Sequence, residues 1–229
     1  MPQDAPVAYR QIQFQVPPGG AQLLLVRHGE SEAAIEGKPF ELVEGHSDPA
    51  LSSEGREQAE LVGARLATEP IDAIYVSNLQ RTAQTAAPLA TRLGLTPVVD
   101  RDLREVYLGE WESGQFRKKV IERDPIAVRM LAEQRWDVIP GAEPAADFAR
   151  RTRDVVERIA RAHPDGCVAV FAHGGIIGEM LSLAVSATGF AFTPDNSSIS
   201  QLVVTPERWI VRRFNDTAHL DVGLATRTR

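Results

Sequence analysis

Two apolar runs in this chain each end in a histidine that is followed at once by glycine. Residues 23–26 lead into Arg27 and His28, and residues 167–171 lead through one alanine into His173. Short apolar runs closed by glycine are typical of buried strands in a parallel sheet. Because the carboxyl ends of parallel strands meet at one edge of a sheet, we expect both imidazoles at the same edge.

Segments with helical periodicity separate the apolar runs and predict an α/β fold. One helix is expected to begin after Ser52, whose hydroxyl is a good N-cap, and another to end at Gly94 despite Pro88 in its interior. Further helices are expected near residues 148–159 and 176–185, and further strands over residues 71–76, 96–99, 198–204 and 209–214. This alternation favours a mostly parallel central sheet.

The chain is expected to form a single domain over residues 21–229, after an N-terminal extension of residues 1–20. A mixed α/β fold of this length commonly stays undivided. Apolar residues alternate with glutamines over residues 11–16, so the extension is either an edge strand or a disordered segment. Residues 115–139 are rich in charge and carry two aromatic residues. We expect them to form a helical insertion over the sheet edge that acts as a substrate lid.

Charge and cysteine content argue against several kinds of function. A net charge of −6 is unfavourable for coating nucleic acid or an anionic membrane, because both require a broad basic surface. The single cysteine, Cys167, excludes an intrachain disulfide and a cysteine-based zinc cluster, and its apolar neighbours predict an unreactive buried thiol. The five histidines show no spacing typical of a metal site, so no metal is expected.

The sequence also gives expectations for location and assembly. No run has the length of a membrane span, and the first residues lack the basic start and apolar stretch of a secretory signal, so the expected location is the cytoplasm. The N-terminal segment and residues 209–214 are candidate edges for a homodimer, because exposed strand edges invite pairing.

The pair formed by Arg27 and His28 suits the chemistry of an anion. A guanidinium presents a planar fork of donors that matches phosphate oxygens, and a neutral imidazole attacks phosphorus if its other nitrogen is held by a hydrogen bond. Taken alone, such a pair is as easily a surface feature at a strand end. His173 likewise has a bland alternative, a histidine satisfied in the core, but two matching strand ends favour a shared phosphate site.

The chain resembles the histidine phosphatase superfamily, also called the phosphoglycerate mutase-like family. LLLVRHGES at residues 23–31 is similar to the signature of that family, and FAHGG at residues 171–175 is similar to its second histidine motif. The resemblance runs from about Gln22 to Leu220. It identifies Arg81 with the second phosphate-binding arginine and Glu105 with the acid-base carboxylate. Without the resemblance, a helix-surface arginine and a solvated loop carboxylate are the alternatives.

The resemblance implies a three-layer α/β/α fold with a helical insertion over the active site. It implies a metal-independent phosphatase without a cofactor, in which His28 is the nucleophile and carries the phosphoryl group as phosphohistidine. The implied catalytic residues are His28, Glu105 and a protonated His173. The implied ligands of the substrate phosphate are Arg27, Arg81, Ser31 and Gly174. A small phosphorylated metabolite is the expected partner.

The sequence departs from the family pattern after the first motif. Many relatives carry an asparagine seven residues after the motif arginine, where this chain has Ala34, so either another donor substitutes or the phosphate is held less tightly. His46 is expected in an exposed loop, with substrate contact as the alternative. The basic run at residues 117–119 is expected on a solvated helix face, with an acidic substrate as the alternative.

Two alternatives to the phosphatase remain at this level. A phosphoglycerate mutase retains the phosphoryl group and excludes water, but the Gly-Glu-Trp-Glu string at residues 109–112 resembles the hydrolases of the family more than its mutases. A non-catalytic sensor of phosphorylated ligands is the second alternative, motivated by Ala34. The presence of both histidines, both arginines and Glu105 favours catalysis over sensing.

Overall fold

The two strands that end in histidine lie side by side at the centre of a six-stranded sheet. A computed structural model describes residues 10–220, and residues 1–9 of the expected extension and 221–229 of the expected domain lie outside the described part. The strands are β1 (Ala21–Arg27), β2 (Leu42–Val43), β3 (His46–Ser47), β4 (Ala73–Val76), β5 (Val98–Val99), β6 (Cys167–Ala172), β7 (Ile199–Val204) and β8 (Trp209–Asp216). Strands β2 and β3 form a separate small hairpin, which the sequence pattern did not predict.

The order of strands across the main sheet is β5-β4-β6-β1-β7-β8. Strands β5, β4, β6 and β1 run parallel to one another, while β7 is antiparallel to both β1 and β8. In the parallel register of β1 and β6, Arg27 pairs with Ala172. The next residue on each strand is a histidine, so the register delivers His28 and His173 to the same edge, as expected.

Helices cover both faces of the sheet and confirm the expected three layers. They are α1 (Ser53–Leu66), α2 (Gln80–Leu93), α3 (Gln115–Ile121), α4 (Pro125–Glu133), α5 (Ala145–Ala162) and α6 (Gly174–Val185). Leu24 and Val26 of β1 pack in a core with α1 and α2. The alternate residues Leu23 and Leu25 pack in a second core with α5 and α6. The strand period of two therefore distributes one apolar run over two cores.

Local signals fix the ends of the helices beside the site. The Ser52 hydroxyl accepts a hydrogen bond of 3.0 Å from the Gly55 N–H at the start of α1. Gly94 ends α2 in the left-handed conformation, with φ of 66°. Pro88 lies inside α2, as expected. No helix within residues 10–220 is long and apolar enough to cross a membrane.

The region expected as a helical insertion contains α3, α4 and a short 3-10 helix at Trp136–Val138. Its aromatic residues pack around Trp111 and Met130 in a third apolar cluster. Trp136 also packs against the core that contains α5 and α6, so the insertion has its own cluster and is joined to the sheet through that core.

Residues 10–16 of the N-terminal extension form no strand. Ile12 is 96% exposed. The ring of Phe14 lies against Arg212 of β8, with its centre 3.8 Å from the guanidinium carbon. The alternation of apolar residues and glutamines has the period of a strand. A strand also needs a neighbouring strand to hydrogen-bond and an apolar surface to cover, and periodicity does not show whether the fold provides them.

Candidate active site

His28 and His173 meet at the carboxyl edge of the sheet. Their ring centres lie 5.1 Å apart with an interplanar angle of 62°. His28 is 7% exposed and His173 is fully buried. The two strand ends therefore form one site, with His28 as the imidazole that reaches the cavity.

The surroundings of His28 prepare its ring for nucleophilic attack. Its Nδ1 lies 2.7 Å from the carbonyl oxygen of Gly29. Because a carbonyl only accepts, Nδ1 carries the proton in the neutral ring and Nε2 keeps its lone pair. Burial, reinforced by Arg81 and Arg27, holds the pKa of His28 well below 6.5. The imidazole is therefore neutral at neutral pH.

His173 is held by a buried serine. Its Nε2 lies 2.9 Å from the hydroxyl of Ser77, while its buried Nδ1 has no hydrogen-bond partner among the described residues. Burial, reinforced by Arg81 and His28, holds the pKa of His173 well below 6.5. These surroundings favour a neutral ring, while protonation of His173 beside a phosphate dianion, as the resemblance implies, stays a prediction.

Two arginines flank the imidazoles, of which Arg81 is buried and Arg27 is partly buried. Arg27 donates from Nη1 to the carbonyl of Pro194 at 2.7 Å, and its buried Nε has no partner among the described residues. Arg81, at the start of α2, donates from Nη1 to the carbonyl of Ser47 at 2.9 Å and lies 3.8 Å from a carboxylate oxygen of Asp48. Burial lowers the pKa of Arg81 to about 10, which leaves it charged at neutral pH. Both guanidinium groups line the same cavity, where their positive charge suits an anion.

Glu105 lies on an irregular segment and is docked onto the start of α6. Its carboxylate oxygens accept hydrogen bonds from the backbone N–H groups of Gly175 at 2.9 Å, Ile176 at 3.1 Å and Val106 at 3.0 Å. A Cβ at Gly175 would lie 2.4 Å from the carboxylate, so only glycine permits this approach. Backbone donors thus fix the orientation of the carboxyl group.

These side chains border a cavity of about 490 Å³. Of the predicted site residues, the cavity is lined by Arg27, His28, Ser31, Arg81 and Glu105. His173 lies beside His28, whereas Gly174 lines an adjacent cavity of about 300 Å³ that shares Arg27 and Glu105. The aromatic part of the lining is Phe40, Trp111, Phe116 and Trp136. The site therefore combines a cationic base with a largely aromatic mouth.

Arg117 enters the cavity from the insertion, contrary to the expected solvated position. It donates from Nη1 to the carbonyl of Glu32 at 2.6 Å and from Nη2 to the hydroxyl of Ser31 at 2.7 Å. The adjacent Lys118 and Lys119 instead bind carboxylates outside the cavity, those of Glu36 and Asp124. Only the first residue of the basic run thus belongs to the site, a distinction that charge alone does not make.

His46 is buried, and its expected exposed position is wrong. It is 5% exposed, lines the cavity and packs against Tyr107 with ring centres 5.2 Å apart. The hairpin of β2 and β3 folds this segment inward. Ser47 of the same hairpin is bound through both its backbone N–H and its hydroxyl to the carboxylate of Glu112. This contact joins the hairpin to the segment that follows Glu105.

No group of three or more histidine, cysteine, aspartate or glutamate side chains in the described part of the chain is arranged to hold a metal ion. The thiol of Cys167 is buried, as expected, and burial raises its pKa to about 11. It lies in β6 and takes no part in the cavity lining.

Comparisons with known proteins agree with this geometry. The model of a family described as the histidine phosphatase superfamily (branch 1) matches residues 23–217. Phosphoserine phosphatase 1 of Hydrogenobacter thermophilus is 32% identical over 203 residues, which cover 87% of this chain and 94% of that protein. Phosphoglycerate mutase-like protein 4 of Arabidopsis thaliana is 31% identical over 206 residues, covering 88% and 87%. The solved structure of a mycobacterial glucosyl-3-phosphoglycerate phosphatase superposes with a TM-score of 0.71 at 27% identity, covering 85% of this chain and 98% of that chain.

Proposed function

The chain belongs to the histidine phosphatase superfamily and is a phosphoric monoester hydrolase, and we propose that it hydrolyses small phosphomonoesters through a phosphohistidine on His28. The observation that carries this proposal is that a neutral, oriented His28 lines one cavity together with the guanidinium groups of Arg27 and Arg81. A nucleophile and a site for a tetrahedral dianion are thereby adjacent.

In the first step the lone pair on Nε2 of His28 attacks phosphorus in line with the ester oxygen. The bond between phosphorus and that oxygen breaks, and Glu105 donates a proton to the departing alkoxide. Arg27 and Arg81 bind the phosphoryl oxygens as charge builds on them. The products are the free alcohol and phosphorylated His28.

In the second step a water molecule attacks the phosphohistidine. Glu105, now a carboxylate, accepts a proton from that water, and the bond between phosphorus and Nε2 breaks. Inorganic phosphate leaves and His28 returns to its starting form. Throughout the cycle the guanidinium groups supply the charge stabilisation that a metal ion supplies in other phosphatases.

Ser31 and Gly174 have supporting roles in this proposal. The hydroxyl of Ser31 accepts a hydrogen bond from Arg117. The charge of Arg117 contributes to lowering the pKa values of His28, Arg27 and Arg81, so we place Arg117 at the phosphate site. We assign to Arg117 the donor that relatives take from the asparagine absent at Ala34. Gly174 begins α6 beside Arg27. Because the next two N–H groups of that helix bind the Glu105 carboxylate, we assign only the N–H of Gly174 to the phosphate.

Hydrolysis of para-nitrophenyl phosphate in the presence of EDTA tests the proposal. Release of nitrophenol at a rate that EDTA does not change supports the metal-independent mechanism. Tight binding of phosphate without turnover would instead identify a sensor. A panel of phosphorylated metabolites, scored by released phosphate, then finds the substrate.

The similarity to a protein named as phosphoglycerate mutase-like keeps phosphoryl transfer between positions of one substrate as a second candidate. Incubation with 3-phosphoglycerate separates the two, because a mutase produces an isomer and a phosphatase produces inorganic phosphate. Cytoplasmic location, a small phosphorylated metabolite as partner and a homodimer stay predictions from the sequence.

A further inference from the structure

The backbone that carries Glu105 belongs to neither a helix nor a strand. Residues 104–108 are irregular and lie between two short 3-10 helices, Arg101–Leu103 and Gly109–Trp111. A general acid must stay within hydrogen-bond distance of the leaving oxygen, and displacement by about 1 Å is enough to reduce catalysis strongly. Contacts from elsewhere in the fold must therefore hold this segment.

Arg151 of α5 supplies those contacts from one side. Its Nη1 donates to the carbonyls of Asp102 at 2.7 Å and Arg104 at 3.0 Å, and its Nη2 donates to the carbonyl of Glu105 at 3.4 Å. The guanidinium also stacks on Phe148, with its central carbon 5.2 Å from the ring centre. One side chain thus binds three carbonyls around the general acid.

Glu143 holds both Arg151 and the other side of the segment. Its carboxylate accepts from Nε of Arg151 at 3.0 Å and from Nη2 at 2.7 Å, a bidentate pair. The same carboxylate accepts from the N–H of Tyr107 at 3.3 Å, and the N–H of Glu143 donates to the carbonyl of Tyr107 at 2.9 Å. The pair is shielded from water, with side-chain exposures of 11% for Arg151 and 16% for Glu143.

We infer that Arg151 and Glu143 form a clamp that positions Glu105 for proton transfer to the leaving group. Neither residue lines the cavity, so the clamp acts through the backbone and not on the substrate. A planar guanidinium is needed, because its fixed donors bind several carbonyls and a carboxylate at once, whereas an ammonium group lacks that geometry. The inference rests on the proposed role of Glu105.

The clamp predicts a defect that depends on the leaving group. Phenyl phosphate and para-nitrophenyl phosphate have nearly the same shape, but nitrophenolate is stable enough to depart without a proton, whereas phenolate needs the general acid. Loss of positioning should therefore slow the phosphorylation of His28 by phenyl phosphate much more than its phosphorylation by para-nitrophenyl phosphate. A general loss of folding or of phosphate binding would slow both substrates alike.

The test compares Arg151→Met with Arg150→Met, an adjacent and exposed arginine whose identified partner is Asp147. Because hydrolysis of the phosphohistidine also uses Glu105 and is common to both substrates, the quantity compared is kcat/KM, which reports only the steps up to phosphorylation of His28. For Arg151→Met we expect kcat/KM on phenyl phosphate to fall by about 10- to 100-fold. On para-nitrophenyl phosphate we expect kcat/KM to fall by less than about threefold. Arg150→Met should match the wild-type enzyme on both substrates.

If Arg151→Met does not fold, Arg151→Lys, which retains the charge, serves for the same comparison of the two substrates. It should show the same preference for the better leaving group, in weaker form. Equal losses on both substrates in the folded variant would overturn the clamp. Glu105→Gln, assayed in parallel, distinguishes failure of the clamp from failure of the proposed role of Glu105. If Glu105→Gln shows no dependence on the leaving group, the proposed role of Glu105 is wrong. If Glu105→Gln shows the dependence and the Arg151 variants do not, only the clamp is wrong.

Discussion

The edge of the sheet and the insertion above it contribute to the same cavity but are built differently. At the edge, the register of β1 and β6 fixes His28 and His173, and buried hydrogen bonds hold both rings. The insertion has its own apolar cluster and reaches the cavity mainly through aromatic side chains and Arg117. We propose from this comparison that the reaction chemistry resides in the sheet edge and substrate selection in the insertion.

The largest expected effect comes from the nucleophile at the sheet edge. His28→Ala should lower kcat by at least about 1,000-fold, because the substitution removes the ring nitrogen that we propose attacks phosphorus. Steady-state assays with para-nitrophenyl phosphate measure the loss, and an unchanged circular dichroism spectrum is the control for folding. Substantial remaining turnover would move the chemistry away from this edge.

Glu105→Gln should have the next largest effect. We expect kcat on phenyl phosphate to fall by about 100- to 1,000-fold, because glutamine retains the shape but cannot transfer the proton. The affinity for inorganic phosphate, measured by calorimetry, should change little. Glu110→Gln is the matched control, since Glu110 is exposed and lies outside the cavity lining. Equal effects of the two substitutions would contradict the assigned role.

Much of the sheet edge was predictable from sequence because short signals encode it. Strand ends followed by histidine and glycine are local patterns, and parallel strands bring their ends together whatever connects them. The resemblance supplied Arg81 and Glu105, which no local pattern distinguishes from surface residues. The lowered pKa of His173 was not predicted, because it depends on burial and on the position of Arg81.

The insertion and the hairpin were less predictable, for a physical reason. Arg117, Lys118 and Lys119 have the same charge in sequence, and only the packing of α3 against residues 31–32 selects the first for the cavity. His46 is buried through a hairpin whose strands are two residues each, too short for a periodic signal. The carbonyls that Arg151 binds lie 46 to 49 positions earlier in the chain, so no local sequence pattern indicates these contacts.

Arg117 gives the sharpest test of the insertion. Arg117→Met should raise KM by about tenfold, corresponding to about 1.4 kcal/mol for a lost charge-assisted contact, with kcat changed by less than about threefold. Lys118→Met, which removes an exposed ion pair with Glu36, should leave both constants unchanged. A large loss of kcat in Arg117→Met with KM unchanged would mean that the insertion contributes to the chemical step, contrary to the division between the sheet edge and the insertion.

The smallest expected effect concerns stability and pH. Burial is the largest cause that lowers the pKa of His28 and of His173, as it also does for His46 and His219. The folded state therefore binds fewer protons than the unfolded state, whose histidines titrate near 6.5. Stability is complete above that pH and is lost as pH falls through it towards the lower folded-state values.

For the pair at the sheet edge, the loss between pH 7 and pH 6 should be about 1 kcal/mol. Urea denaturation at the two pH values measures it, and His173→Asn should reduce the dependence. The insertion at residues 115–139 contains no histidine, so substitutions there should leave the slope unchanged. A slope that His173→Asn does not alter would contradict a neutral buried ring.

The most direct test of the central claim is to capture the covalent intermediate. Enzyme mixed with excess phenyl phosphate is quenched in alkali, where phosphohistidine survives, then digested and analysed by mass spectrometry. The account predicts one phosphoryl group on His28, formed and lost at rates compatible with turnover. A phosphoryl group on another residue, or turnover with none on His28 under conditions that preserve it, would contradict the account.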